Sequence, residues 1–150
     1  MKILMVCLGN ICRSPMAEVI FKRLAHAAHL DWTVRSAGTN RYHKGGPADA
    51  RAVAECRGRG IDLSGHIARR VTAQDFAEYD VLFSMAADVT DDLREICPSP
   101  ELMGKVVAYR PVGEDVPDPW YGDAPDFAAC YDIVETASRH QLERLRQSEQ

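Results

Sequence analysis

The 150-residue sequence lacks long apolar runs and any excess of positive charge. No stretch approaches the roughly 18–20 apolar residues that a membrane span needs, and the apolar residues 1–6 are too few for a signal peptide. Lys and Arg number 18 against 22 Asp and Glu, a net charge of −4, which does not fit a general nucleic-acid-binding protein. We therefore expect one globular domain over residues 1–150, with neither a membrane nor a nucleic acid as partner.

The cysteine content does not fit a disulfide scaffold. Five cysteines, an odd number, are unevenly spread and follow no secretion signal. A cytoplasmic protein with reduced thiols is the better interpretation, and in such proteins a close cysteine pair is typically catalytic or metal-binding. Cys7 and Cys12 form that pair, whereas Cys56, Cys97 and Cys130 are interpreted as partly buried spectators in helices.

Alternating apolar patterns predict an α/β fold, a single-domain four-stranded parallel sheet with helices on both faces. Buried strands are predicted at residues 2–6, 32–34, 81–83 and 105–109, with helical segments between them. Connections of helix length imply right-handed crossovers within one sheet. Ser14 is predicted as the N-cap of the first helix, because a residue before proline and an N-cap both require non-helical backbone angles. Ligands of such sheets bind beyond the carboxyl ends of the strands, where residues 7–13 lie.

Residues 7–13 form a loop that is suited to holding an oxyanion over a sulfur. A strand enters the loop and a helix leaves it, so that successive N–H groups and the helix N-terminus favour a bound anion. Arg13 is placed to bind two oxygens of a tetrahedral oxyanion, and Cys7 lies at the bottom of the cup. The same positive surroundings favour the thiolate of Cys7, to which Ser14 can donate a hydrogen bond. The predicted phosphate-binding residues are Leu8, Gly9, Asn10, Ile11, Cys12 and Arg13.

A second segment, residues 116–122, supplies the acid that phosphate-ester chemistry requires. The leaving oxygen must be protonated as it departs, and Asp118, between two prolines, is the candidate donor. Asp118 would then take a proton from the water that hydrolyses a phosphocysteine intermediate. Trp120 and Tyr121 are expected to form walls for a flat substrate ring.

With these motifs, the sequence resembles the low-molecular-weight protein tyrosine phosphatases over nearly its whole length. The matching segments are residues 7–15, 16–18, 36–39, 66–69, 75–76, 80 and 118–122. The resemblance implies a single phosphatase domain, with Cys7 as nucleophile, Arg13 as phosphate clamp, Asp118 as general acid and Ser14 as partner of the thiolate. It also implies that the enzyme hydrolyses phosphotyrosine without a metal or another cofactor.

Supporting residues are also implied by the resemblance. Asn10 holds the loop in its unusual backbone shape and is supported by Ser36 and His66. Tyr42 falls in the cleft wall opposite Trp120 and Tyr121. Cys12 is the redox partner in a reversible disulfide with Cys7, which protects the nucleophile from over-oxidation, unless it is simply a small residue in a tight loop.

Partners and inhibitors are likewise implied by the family. The substrate is a phosphotyrosine-containing protein, and bacterial relatives often act on tyrosine autokinases. Phosphate and vanadate should inhibit competitively. Ala86 stands where the family often has an acid, with the next acid at Asp88, and this departure bears on substrate preference at the rim of the cleft.

Several alternatives stay open at this point. An arsenate reductase of the same fold needs two further cysteines close together, but Cys97 has no neighbour. A phosphoarginine phosphatase has a threonine where this chain has Ile11, and a non-catalytic phosphate-binding module would not need the whole catalytic set. A zinc site at Cys7 and Cys12 lacks a second ligand pair.

Other polar residues are expected to be solvated. This applies to the histidines His26, His29, His43 and His140. It applies also to the arginines Arg57, Arg59, Arg69 and Arg70, whose alternative role is to steer phosphorylated substrates.

Overall fold

The computed structural model describes residues 1–149 and contains one parallel sheet between two layers of helices. The strands are β1 Lys2–Cys7, β2 Thr33–Gly38, β3 Val81–Ser84 and β4 Val106–Ala108. The α-helices are α1 Arg13–Ala27, α2 Ala50–Gly58, α3 Ala73–Glu78, α4 Ala87–Ile96 and α5 Ala124–Ser148. Short 3-10 turns lie at Pro100–Lys105 and Pro119–Tyr121. The strand order is β2-β1-β3-β4 with all pairs parallel, which confirms the predicted fold class.

The central strand β1 separates two apolar cores. Its side chains alternate, so Ile3, Met5 and Cys7 face the core covered by α1 and α5, while Leu4 and Val6 face the other. Helices α3 and α4 cover that second core. Both faces of β1 are therefore buried, and its last residue, Cys7, opens the loop at the carboxyl edge of the sheet.

The first helix begins earlier than predicted. It starts at Arg13, with Cys12 in the N-cap position, so the prediction that Ser14 caps it is wrong. The carbonyl of Cys12 already accepts the N–H of Met16 at 3.1 Å. Ser14 lies inside the first turn, fully buried, and its hydroxyl is bonded to the loop and not to the helix backbone. Pro15 is tolerated next to it, because the N–H groups of the first turn have no intrahelical acceptor.

All four strands differ in length from their predictions, and β1 and β3 are each one residue longer at the carboxyl end. Residues 36–38, which lie beyond the predicted strand 32–34, continue β2 beside Met5, Val6 and Cys7, which brings Ser36 to the carboxyl edge of the sheet. Strand β4 has three residues, because Lys105 ends a 3-10 turn. Within residues 1–149, no helix combines the length and the apolar character that crossing a membrane would require.

Candidate active site

A cavity of about 520 Å³ opens at the carboxyl edge of β1, where sequence analysis placed the site. The loop after β1 forms its floor, and two segments from distant parts of the chain form its walls. Its lining residues are Cys7, Leu8, Gly9, Ile11, Cys12, Arg13, Asn40, Tyr42, His43, Asp118, Trp120 and Tyr121.

The loop turns its carbonyl groups away from the cavity. The N–H groups of Thr39 and Asn40 donate to the carbonyls of Cys7 and Leu8, both at 3.0 Å, and the N–H of Asp49 donates to that of Ile11 at 2.9 Å. Among residues 1–149, no acceptor takes the N–H groups of Gly9, Ile11 and Cys12. Amide hydrogens are therefore left free on a loop at a helix N-terminus, an arrangement suited to the oxygens of a tetrahedral anion.

Gly38 allows the loop and β2 to approach each other closely. A Cβ atom at this position would lie 2.6 Å from the carbonyl oxygen of Leu8 and 3.0 Å from the backbone nitrogen of Asn10. Both atoms are backbone and cannot swing aside. A side chain here would therefore displace the loop that holds Cys7.

Asn10 holds the turn of the loop. Its φ of 57° lies in the left-handed region, which asparagine adopts more readily than most residues. Its side-chain amide donates to the hydroxyls of Ser14 at 2.8 Å and Ser36 at 3.0 Å. The backbone N–H of Arg69 donates to its Oδ1 at 3.0 Å, and Nε2 of His66 lies 2.7 Å from its carbonyl oxygen. The structure thus brings together Asn10, Ser36 and His66.

The direction of these hydrogen bonds bears on the protonation of Cys7. The carboxylate of Glu18 can only accept, so the Ser36 hydroxyl donates to it at 2.7 Å. Ser36 then accepts from one hydrogen of the Asn10 amide, whose other hydrogen goes to Ser14. The hydroxyl proton of Ser14 is left for the sulfur of Cys7, 2.9 Å away. The backbone N–H of Asn10 also donates to that sulfur, at 3.3 Å, so two donors favour the thiolate.

Arg13 and Asp118 face each other across the cavity. The Arg13 guanidinium is almost completely buried and donates to the carbonyl of Val116 at 3.0 Å, which fixes its direction. Its Nη2 lies 3.6 Å from Oδ2 of Asp118. The other carboxylate oxygen of Asp118 accepts the N–H of Trp120 at 3.1 Å, and about a third of the side chain is exposed. A cation at the floor and a solvated carboxyl at the wall therefore border the same space as the sulfur.

Aromatic side chains form the mouth of the cavity. Tyr42 is 89% exposed on one wall, and Trp120 and Tyr121 are 43% and 87% exposed on the other. The Trp120 and Tyr121 rings are 4.8 Å apart and nearly perpendicular. Arg51 secures this wall by donating to the carbonyls of Trp120 and Gly122. Exposed rings on both sides of a narrow pocket suit a flat aromatic ligand.

Cys12 lines the same cavity as Cys7. Its burial raises its pKa far above the ordinary range, with the nearby Asp49 and Cys7 adding to the shift. Burial also raises the pKa of Cys130, on α5, to about 12. Both side chains therefore stay as neutral thiols at neutral pH.

Three residues of the site were not predicted from the sequence. Asn40 and His43 line the cavity, and His43, though exposed as expected, lies against Gly9 of the loop. Glu18 belongs to a matching segment but received no role. An acidic residue one helical turn beyond the loop is a sequence feature that could have indicated a hydrogen-bonding partner for the loop. Ala86 is buried and does not line the cavity. The position at which the family often has an acid is therefore not at the rim of the cavity.

The four arginines that were expected to be solvated lie in two different places. Arg57 and Arg59 lie at the end of α2, where Arg59 pairs with Glu55 and Asp132. Arg69 and Arg70 lie beside the end of β2. Among residues 1–149, no group of three His, Cys, Asp or Glu side chains is arranged to hold a metal ion.

Comparison with known proteins identifies the relatives of this chain. Residues 2–150 match the family model described as low molecular weight phosphotyrosine protein phosphatase. A low molecular weight protein-tyrosine-phosphatase of Streptomyces coelicolor is 38% identical, over 97% of this chain and 94% of its own.

Solved structures agree with this comparison. The protein tyrosine phosphatase of Entamoeba histolytica, crystallised with Hepes in the active site, superposes with a TM-score of 0.94 at 35% identity, covering 100% of this chain and 99% of its own. Wzb of Vibrio vulnificus, in complex with benzylphosphonate, superposes with a TM-score of 0.87 at 29% identity, covering 95% and 97%.

Proposed function

The chain belongs to the low-molecular-weight phosphotyrosine protein phosphatase family of cysteine-dependent phosphatases, and we propose that it hydrolyses phosphotyrosine through a phosphocysteine intermediate on Cys7. One observation carries this proposal. The sulfur of Cys7 accepts hydrogen bonds from Ser14 and Asn10 at the floor of a cavity that Arg13 and Asp118 also line. A nucleophile, a cation for the phosphate and a proton donor thus share one space.

The first step is attack of the Cys7 thiolate on phosphorus. The free N–H groups of the loop and the Arg13 guanidinium hold the three non-bridging oxygens, whose charge they stabilise as the transition state forms. The sulfur–phosphorus bond forms while the bond from phosphorus to the phenolic oxygen breaks. Protonated Asp118 gives its proton to that oxygen, so that tyrosine leaves as a neutral phenol.

The second step releases phosphate. Asp118, now a carboxylate, takes a proton from a water molecule that attacks phosphorus from the side that tyrosine has left. The sulfur–phosphorus bond breaks, and Cys7 leaves as a thiolate that the Ser14 hydroxyl stabilises. Inorganic phosphate departs, and both side chains have returned to their starting protonation states.

The walls of the cavity support phosphotyrosine as the substrate class. The exposed rings of Tyr42, Trp120 and Tyr121 can flank a phenyl ring whose phosphate reaches Cys7. The relative from Vibrio vulnificus is in complex with benzylphosphonate, which, like phosphotyrosine, joins an anionic phosphorus group to an aromatic ring through one bridging atom. The partner that carries the phosphotyrosine, for which a tyrosine autokinase was expected, stays a prediction, as does the cytoplasmic location.

The side chain of Ile11 bears on the phosphoarginine alternative. It is nearly buried and lines the cavity as an apolar group. A hydroxyl there, as the resemblance gives for phosphoarginine phosphatases, would help to orient the attacking water. The apolar side chain therefore favours phosphotyrosine over phosphoarginine.

Steady-state kinetics on four substrates tests this proposal. Phosphotyrosine should give a higher kcat/KM than phosphoserine, phosphoarginine and arsenate, and vanadate should inhibit competitively. Cys7→Ser should abolish turnover, whereas Cys56→Ser, which removes a buried thiol outside the cavity, should retain it. Equal rates on phosphotyrosine and phosphoserine, or activity surviving in Cys7→Ser, would refute the proposal.

A further inference from the structure

A second cavity, of about 550 Å³, lies behind the wall that carries Tyr42. Asn40, Tyr42 and His43 line the catalytic cavity, whereas Arg41 and Lys44, from the same loop, line the second one. The loop therefore separates the two cavities, and adjacent residues face each of them. The second cavity is lined by Arg41, Lys44, Arg69, Arg70, Val71, Thr72, Ala73 and Ile96.

The charge of this second cavity is largely uncompensated. Of its four cations, Arg69 pairs with Asp75 through two contacts of 3.0 and 3.1 Å. Arg41, Lys44 and Arg70 have no carboxylate oxygen within 4.0 Å anywhere in residues 1–149. In a chain with a net charge of −4, three unpaired cations around one concave surface form a local anion-binding region.

The backbone holds part of this region in place. Arg70 donates from Nε to the carbonyl of Thr39 at 3.2 Å, which leaves the outer nitrogens of its guanidinium available. The N–H of Gly45 donates to the carbonyl of Ala68 at 2.8 Å, which ties the loop to the segment before Arg69. The cavity is thus built on two segments that are bonded to each other, and its cations are presented from both.

We propose that the second cavity binds an acidic or phosphorylated side chain of the same polypeptide whose phosphotyrosine occupies the catalytic cavity. This inference rests on the proposed function. Arg41 is bonded directly to Tyr42, so the two cavities are within reach of a short peptide, which spans about 3.3–3.6 Å per residue when extended. Val71, Ala73 and Ile96 supply an apolar surface for the stem of the bound side chain, and the cations bind its charge.

Paired phosphotyrosine peptides test this inference. Each pair carries glutamate or glutamine at one position between six residues before and six after the phosphotyrosine. At one or more positions on one side, glutamate should raise kcat/KM about 3- to 10-fold at low ionic strength, as expected for one or two exposed charge contacts. Phosphoserine at the same position should raise it further, because it carries about two charges.

A charge-matched pair of variants then locates the effect. Arg41→Gln with Lys44→Gln should bring the glutamate-to-glutamine ratio of kcat/KM close to one. Arg57→Gln with Arg139→Gln removes the same net charge outside both cavities and should keep the wild-type ratio. Both changed side chains of the first variant are exposed and without ion pairs, so the fold should tolerate them.

Two outcomes would overturn the inference. One is the absence of any position at which wild type prefers glutamate. The other is an equal loss of preference in both double variants, which would assign the effect to net charge alone. If the proposed function were wrong, wild type would not hydrolyse even the glutamine peptides. That result is distinguishable from both outcomes above, in which the peptides are hydrolysed.

Discussion

Replacement of Ser14 by alanine tests whether a directed hydrogen bond keeps Cys7 anionic. Ser14 is fully buried, and its hydroxyl lies 2.9 Å from the sulfur. The chain of donors from Asn10 to Ser14 leaves that hydroxyl proton no other acceptor, so the bond requires the sulfur to accept. Alanine removes the donor and adds no bulk, while the N–H of Asn10, at 3.3 Å, stays in place.

The size of the effect follows from the charge on the acceptor. A hydrogen bond to a charged group contributes about 1.5–3 kcal/mol. Its loss should slow the reactions in which the sulfur attacks as an anion about 10- to 100-fold. Because both the attack and the departure of Cys7 involve the thiolate, kcat should fall together with the reactivity of the free enzyme.

The rate of alkylation by iodoacetamide measures that reactivity directly. At pH 6 the Ser14→Ala variant should react about 10- to 100-fold more slowly than wild type, in line with the lost bond. Ser138→Ala serves as the matched control, because it removes another fully buried hydroxyl, on α5 beside Tyr109, without touching the cavity.

The pH profile decides the outcome. Coincident alkylation profiles for Ser14→Ala and wild type would refute the hydrogen-bond argument, even if turnover were reduced. A slower reaction in Ser138→Ala as well would assign the effect to general loosening of the fold. Added phosphate should slow alkylation of wild type, since it binds over the sulfur.

Three further changes have defined outcomes. Asp118→Asn should lower kcat about 10²- to 10⁴-fold and most for poor leaving groups, because it removes the proton donor; equal losses for good and poor leaving groups in steady-state assays would contradict this role. Gly38→Ala should lower both the melting temperature and kcat, since its Cβ would press on the carbonyl of Leu8 at 2.6 Å; unchanged values of both would contradict the steric argument. Burial raises the pKa of Cys12, and that of Cys130 to about 12, so the unfolded chain loses these protons first. Stability should therefore be fully retained below about pH 8.5 and should fall as pH rises towards 12, by up to about 1.4 kcal/mol per pH unit for each thiol, in urea denaturation; a flat profile from pH 8 to 10.5 would contradict it.

The fold was predictable because its patterns are local. The buried strand predicted at residues 2–6 depends on neighbouring residues, and it is present as part of β1. The start of α1 was not predictable in this way. Ser14 satisfies the local preference for an N-cap, but its hydroxyl makes tertiary hydrogen bonds instead. Its hydroxyl contributes more to the sulfur and to Asn10 than it would to the end of a helix.

The floor of the site was predictable from spacing, and its walls were only partly so. Cys7, Arg13 and Ser14 lie within one loop, so a strand and a helix around it nearly determine their positions. Asn40 and His43 reach the cavity only because residues 39–40 are hydrogen-bonded to the loop carbonyls, a contact that no sequence period reveals. The clustering of the cations Arg41 and Arg70 is equally non-local, since it depends on the bridge between Arg70 and Gly38 at the end of β2.

The hydrogen bonds that shape the catalytic loop come from three different segments of the chain, residues 39–40, Asp49 and residues 66–69. Residues 39–40, Asp49, His66 and the N–H of Arg69 each hold a different group of the loop, and none of them touches the sulfur. A loop that must turn its carbonyls outward cannot satisfy them by itself, so the surrounding fold supplies the donors. The same bonds that stabilise the fold around β1 therefore leave the N–H groups free for phosphate. Local opening of any one segment would release a carbonyl towards the cavity, and the anion site would be lost before the domain unfolds.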